Sequence, residues 1–133
     1  MDVLVTIDEK SSPHRVTNSE DLGLVIRQAS DEARSRRLLN VIFIEVPERH
    51  IMGMVVGGED SALTFTYDHR DPPYLESVGP QSGTDPVLTC YVSYMHHTEL
   101  PRSCVISYQE ALRAVDEFAS SGKLPDSIQW AET

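Results

Sequence analysis

The sequence predicts an α+β fold: a mainly antiparallel sheet with two helices packed on one face, in a single domain over residues 1–133. Three observations carry this expectation. Two stretches, opening at Thr17 and at Ser107, repeat apolar residues at offsets of three and four. Shorter runs between them alternate apolar and polar residues, as half-buried strands do. Glycine and proline fall between the runs, where hairpins need to turn. The resulting order is strand, helix, three strands, a long connection, two strands, helix, strand.

Taken along the chain, Val3, Val5 and Ile7 alternate with Leu4, Thr6 and Asp8 in an opening strand, and Lys10 to His14 is a turn. Thr17 and Glu20 stand at capping-box spacing ahead of Leu22, Ile26, Ala29 and Ala33, which share one helical face. Gly23 weakens that helix by about 1 kcal/mol relative to alanine without abolishing it. Arg34, Arg36 and Arg37 sit at its C-terminal end, where cations complement the helix dipole; no glycine-rich loop precedes them to suggest a phosphate site. Asn40 to Val46 is a branched apolar strand closed by Pro47, and His50 to Gly58 and Ser61 to Tyr67 follow as two more, joined through Gly57 and Gly58. From Asp68 to Pro86 the chain holds Pro72, Pro73, Pro80, Pro86, Gly79 and Gly83, and reads as a long irregular connection.

Val87 to Tyr94 is a strand, Met95 to Pro101 a turn, and Ser103 to Ile106 a short strand. The second helix is the most fully specified element. Ser107 and Glu110 form a capping box, and Ala111, Leu112, Val115, Phe118 and Ala119 share a face. Gly122 stops the helix and Pro125 prevents its resuming. Ile128 and Trp130 then alternate in a last strand, which would return Trp130, the only tryptophan, to the sheet.

A chain of 133 residues buries roughly 65–70% of its unfolded surface without disulfide staples. The net charge is −10 and unevenly placed: residues 1–50 carry 7 basic and 9 acidic side chains, residues 51–133 carry 4 and 12. Such a field repels nucleic acid and anionic membrane and attracts a basic partner. Negative charge also serves solubility alone. Tyr67, Tyr74, Tyr91, Tyr94 and Tyr108 would stack bases, but the acidic surroundings oppose nucleic-acid binding. The N-terminus lacks the pattern of a signal peptide, no apolar run approaches the ~20 residues of a membrane span, and a cytoplasmic location is expected. Cys90 and Cys104 have no metal-type spacing and are expected as buried free thiols, although a cross-strand bridge stays open.

His96-His97-x-Glu99 is the one cluster with metal-ligand chemistry, with His69 and Asp71 as possible further ligands. Neighbouring strand residues face opposite ways, so only one of the two histidines would serve a given site. Solvated turn residues are the simpler reading, and no metal or cofactor is expected. Neither cysteine lies in a nucleophile motif and no G-x-S-x-G elbow occurs, so no catalytic residue is expected.

Residues from about Gly53 to Trp130 resemble the first immunity-protein family of bacterial polymorphic toxin systems. The resemblance rests on Gly57-Gly58 with Ser61 and Leu63, Ser77-x-Gly79, Tyr94, Glu99-x-Pro101, the run QEALRAVDEF, then Gly122, Pro125, Ile128-x-Trp130 and Glu132. His96 and His97 depart from the glycine-containing turn that the family would have there, and residues 1–50 carry little of the resemblance. It implies an α+β protein encoded beside a toxin, which it binds to protect its producer; family partners include nucleic-acid deaminases and HNH-type nucleases. The alternatives are a small metal-dependent enzyme or metal-binding module using His96, His97 and Glu99, and a homodimeric scaffold. Charge complementarity nominates Glu59, Asp60, Asp68, Asp71, Tyr74, Glu76 and Glu99 as the toxin-facing residues, with the loop after Tyr67 expected to bring Asp68, Asp71, Tyr74 and Glu76 together, next to Glu59 and Asp60 in the preceding turn.

Overall fold

A computed structural model of the chain describes residues 1–81 and 83–133. The long helices bury the stripes that their sequences carry. The first, α1 (Ser19–Ser35), buries Leu22, Ile26, Ala29, Ser30 and Ala33. Its cap is Asn18 rather than Thr17: the Asn18 side chain accepts from the Asp21 backbone N–H at 2.8 Å and donates to the Asp21 carboxylate at 2.9 Å. The capping pair is therefore shifted by one residue from Thr17 and Glu20, and its return bond comes from the Asn18 side-chain amide rather than from a backbone N–H. The second helix, α2 (Tyr108–Ser121), is capped by Ser107, whose hydroxyl accepts from Glu110 N–H at 3.1 Å. It ends at Gly122, which takes φ 74° and donates to Phe118 C=O at 2.7 Å.

Eleven strands occur among the described residues: β1 (Val3–Thr6), β2 (His14–Val16), β3 (Asn40–Glu45), β4 (Ile51–Val56), β5 (Asp60–Ser61), β6 (Leu63–Thr66), β7 (Tyr74–Val78), β8 (Val87–Val92), β9 (His96–Pro101), β10 (Ile106–Ser107) and β11 (Gln129–Glu132). The main sheet runs β11-β7-β6-β4-β3-β1-β2, antiparallel throughout. The sheet forks at β3. Its C-terminal half pairs with β1, while Asn40 and Val41 pair in parallel with Tyr91 and Val92 of β8, which carries β9 as a hairpin. A second, two-stranded ladder joins β5 to β10.

Both helices cover one face, as expected. There Ile42 and Ile44 of β3, Met52 and Met54 of β4, and Phe65 of β6 meet Ile26 of α1 and Phe118 of α2. The Phe65 ring is edge-on to Phe118 at 5.6 Å and to Trp130 at 5.9 Å. Trp130 donates its indole N–H to Pro125 C=O at 2.9 Å, so the last strand is fastened to the turn that follows α2. Alternate residues of the same strands build a smaller second core on the opposite face, where Val41, Val55 and Ala62 meet Leu88, Cys90, Cys104 and Val105.

The structure corrects four expectations of secondary structure. Residues His14–Val16 are a strand and not the end of a turn. The connection after Tyr67 contains β7, fully integrated between β6 and β11. Its inward positions are Leu75 and Ser77, and a buried serine breaks the apolar alternation. Ser77 is satisfied on both sides: its hydroxyl accepts from Leu63 N–H at 3.0 Å and donates to Cys104 C=O at 2.6 Å. Residues His96–Pro101 form β9, the turn being confined to Ser93–Met95 with Ser93 and Tyr94 both at positive φ. Finally, Arg102–Cys104 is a single 3-10 turn, leaving only Ile106–Ser107 as strand. This segment passes so close to β7 that a Cβ on Gly79 would collide with the Val105 carbonyl.

Phe118 has no solvent exposure and contacts both the sheet and the aromatic group around Phe65. Phe118→Ala is expected to cost roughly 3–5 kcal/mol, measured by denaturant titration. A variant as stable as the parent would contradict the packing described.

Candidate functional site

The seven residues nominated from the sequence lie in three places. Asp68 and Asp71 are exposed in the β6–β7 turn, and Tyr74 and Glu76 follow on β7. Tyr74 and Glu76 stand opposite Thr66 and Thr64 of β6, so both point to the sheet face away from the helices. Val78 continues that stripe, and Tyr74 and Val78 remain 41% and 37% exposed. These four nominated residues are therefore contiguous.

Glu59 and Asp60 are not beside them. They precede β6, at its far end, across a run of seven residues that spans roughly 20 Å when extended. There the Glu59 carbonyl accepts from Tyr108 N–H at 2.8 Å and Asp60 meets Arg102 at 3.5 Å. The expectation that Glu59 and Asp60 sit next to the loop residues is not met, because β6 lies between the two turns. Glu99 stands apart again, on β9 opposite Thr89.

Alternation along β9 also separates the histidines. His96 approaches Glu9 at 3.2 Å on one side; His97 approaches Glu99 at 3.8 Å and lies edge-on to Tyr91 at 5.7 Å on the other. Among the described residues, no three His, Cys, Asp or Glu side chains come together as a metal site would require. His69 and Asp71 are joined only locally, the Asp71 N–H donating to His69 Nδ1 at 3.0 Å.

The electrostatics of the β6–β7 end are one-sided. Arg70 is held by the Arg49 and Tyr67 carbonyls at 2.9 and 3.0 Å and lies 3.8 Å from Glu45, so its charge is already engaged. Asp68, Asp71 and Glu76 have no ion-pair partner among the described residues. Glu76 is half-buried, and loss of water raises its carboxyl above the usual carboxylate range. A carboxylate held in that position gains from an incoming cation.

Beside Glu76, on the same face, lies a feature that the sequence reading missed. The β8–β9 hairpin curls behind the main sheet and leaves an apolar groove of about 160 Å3. Val41, Phe43, Val55 and Ala62 form its floor, with Val92, Thr98 and Leu100 of the hairpin as its wall. Gly53 keeps the floor low, because a Cβ there would press on the Thr64 hydroxyl. The glycine inside an otherwise apolar strand was the available signal.

The two cysteines are buried and free, beneath the same hairpin. Burial pushes the Cys90 thiol up to about 11 and Cys104 up to about 12, so neither is a ready nucleophile at neutral pH.

The family model described as Immunity protein Imm1 matches residues 10–132. The chain belongs to the Imm1 immunity-protein family. No curated protein matches it. The Imm1 match takes in α1 and the first strands as well as the C-terminal two-thirds, so residues 1–50, which looked peripheral to the resemblance, are mostly part of the family domain. Membership implies the toxin-neutralising role of an immunity protein and a cognate toxin as partner. Among the described residues, no helix is long and apolar enough to cross a membrane.

Two outcomes follow for the Imm1 chain. In the native state both thiols are expected to resist Ellman's reagent at neutral pH and to react fully in concentrated guanidinium; rapid native labelling would contradict their burial. Elemental analysis of purified protein is expected to find no stoichiometric zinc, iron or copper. A bound metal lost on His96→Ala or His97→Ala would reverse that expectation.

Proposed function

We propose that this chain neutralises a cognate bacterial toxin by binding it directly, and that the toxin acts on nucleic acid as a deaminase or an HNH-type nuclease. The observation that carries this reading is the open sheet face at β7, with Tyr74 and Val78 exposed and Glu76, Asp68 and Asp71 unpaired among the described residues, in an Imm1 chain of net charge −10. A nucleic-acid enzyme presents a basic groove to its substrate, and an acidic surface occupies that groove by answering the same charge. Tyrosine adds contact area at low entropic cost, which is what an interface anchor requires.

In this reading Tyr74, Glu76, Asp68 and Asp71 make the contact, and Glu59, Asp60 and Glu99 contribute to the field that steers the encounter. The protein performs no chemistry, uses no cofactor, touches neither nucleic acid nor membrane, and works in the cytoplasm. Inhibition comes from covering the toxin's substrate groove. A metal-dependent reaction is disfavoured by the opposed directions of His96 and His97.

Surface-plasmon kinetics against the toxin encoded beside this gene test the proposal. Neutralising Asp68, Asp71 and Glu76 together is expected to slow association, with the deficit shrinking as salt rises. Tyr74→Ala is expected to speed dissociation with little salt dependence. Unchanged rates in both variants, shown to be folded, would move the interface elsewhere.

A further inference from the structure

The groove behind the sheet has the size and chemistry of a pocket for one side chain. Its volume is about 160 Å3, and an apolar cavity of about 150 Å3 holds a benzene ring. Its lining is mostly aliphatic and aromatic, with Thr64 and Thr98 as the residues that carry a polar side chain. Both elements that shape it depart from plain strand grammar. Gly53 gives up a side chain in the middle of β4, and β8 meets the main sheet only at its C-terminal end, where Tyr91 and Val92 pair with Asn40 and Val41. At the border of the groove stands Glu76, which has no ion-pair partner among the described residues. Thr64 lies in the groove, and its cross-strand neighbour on the same face is Glu76. Side chains so related stand about 5 Å apart at Cβ. No cation reaches Glu76 from within the described chain.

We infer that this groove receives one large apolar side chain of the toxin, presented next to a lysine or arginine that pairs with Glu76. This rests on the toxin-binding reading above and specifies the part of the toxin that is gripped. Charge complementarity selects the occupant: an apolar anchor followed by an acidic residue would set two carboxylates against each other, whereas a basic neighbour relieves Glu76. A small apolar anchor in a pocket, fenced by a partly desolvated ion pair, is the arrangement that concentrates binding energy at an interface. It governs dissociation more than encounter, which separates it from the long-range steering by Glu59, Asp60 and Glu99.

The test fills the groove. Thr98→Trp, with Leu100→Trp as the second filling variant should the first fail to fold, is checked by circular dichroism and thermal melting. Each is then measured against the toxin encoded beside the gene. Filling is expected to speed toxin dissociation at least about tenfold with association nearly unchanged, and Glu76→Gln to speed it by several-fold. Dissociation at the parent rate from a folded, filled variant would overturn the inference while leaving the toxin-binding reading intact. Absence of binding by the parent protein would instead defeat that broader reading, and the groove is then judged with a peptide probe. Acetyl-Gly-Gly-Phe-Lys-Gly-Gly-amide is expected to shift the amide resonances of Val41, Gly53 and Val55, and its Phe-Glu counterpart to do so far less. Equal shifts from both peptides, or none at those amides, would overturn the inference.

Discussion

The position of β3 is the constraint on which the rest depends. It pairs with β4 along its whole length, but its other edge is divided between β1 and β8. A divided edge leaves polar backbone where the two partners separate, and the buried amide of Asn40 occupies that gap. Its Nδ2 donates to Ile7 C=O at 3.1 Å, beyond the end of β1, and its Oδ1 accepts from Tyr94 N–H at 3.0 Å, in the turn after β8. One fully buried side chain thus joins the two partners that diverge around it. Leaving either group unpaired would cost about 1–3 kcal/mol in desolvation. Arg36 reinforces the same turn from outside, its guanidinium lying 4.0 Å over the Tyr94 ring.

The fork has a consequence for the two sides of the sheet. Helices α1 and α2 close one face completely, which places the larger core there and makes that side structural. The opposite face is covered only where β8 and β9 curl behind it, so it has a small core at one end and an open stripe at the other. The stripe proposed to meet the toxin lies on the side that the fold does not need for its main core. The acidic residues follow no such division: they occur at both ends of β6 and on β9, which suits a long-range field better than a single patch.

The elements legible in the sequence were those whose local chemistry and burial agree. Ser107, Phe118 and Gly122 announce α2 because cap, core contact and stop are all local facts. The alternation of β1 and β6 and the apolar runs of β3 and β4 were equally readable, since each buries apolar side chains. β7 was hidden because one of its two inward residues is Ser77, whose partners, Leu63 and Cys104, are distant in sequence. β9 was hidden because none of its residues is fully buried and its turn uses Ser93 and Tyr94 at positive φ in place of glycine. Tertiary hydrogen bonds to Ser93 and Tyr94, from Glu9 and to Asn40, hold that conformation, and no local pattern reports them. For the proposed site, residue type nominated Tyr74 and Glu76, which the fold sets two apart on one face of β7. Their separation from Glu59 and Asp60 depended on reading β6 as a divider.

The divided edge of β3 also orders the assembly of the molecule in time. Pairing of β3 with β4 and of β6 with β7 closes short stretches of chain, so these hairpins can form early. The partnership of Asn40 and Val41 with β8 must wait until the chain through Val92 has been gathered, and the β7–β11 pairing until the C-terminal strand arrives. Loop closure for both comes late and is offset only by contacts made at the end. The β8–β9 hairpin that walls the groove is therefore among the last parts to dock and, by the same reasoning, among the first able to open from an otherwise folded sheet.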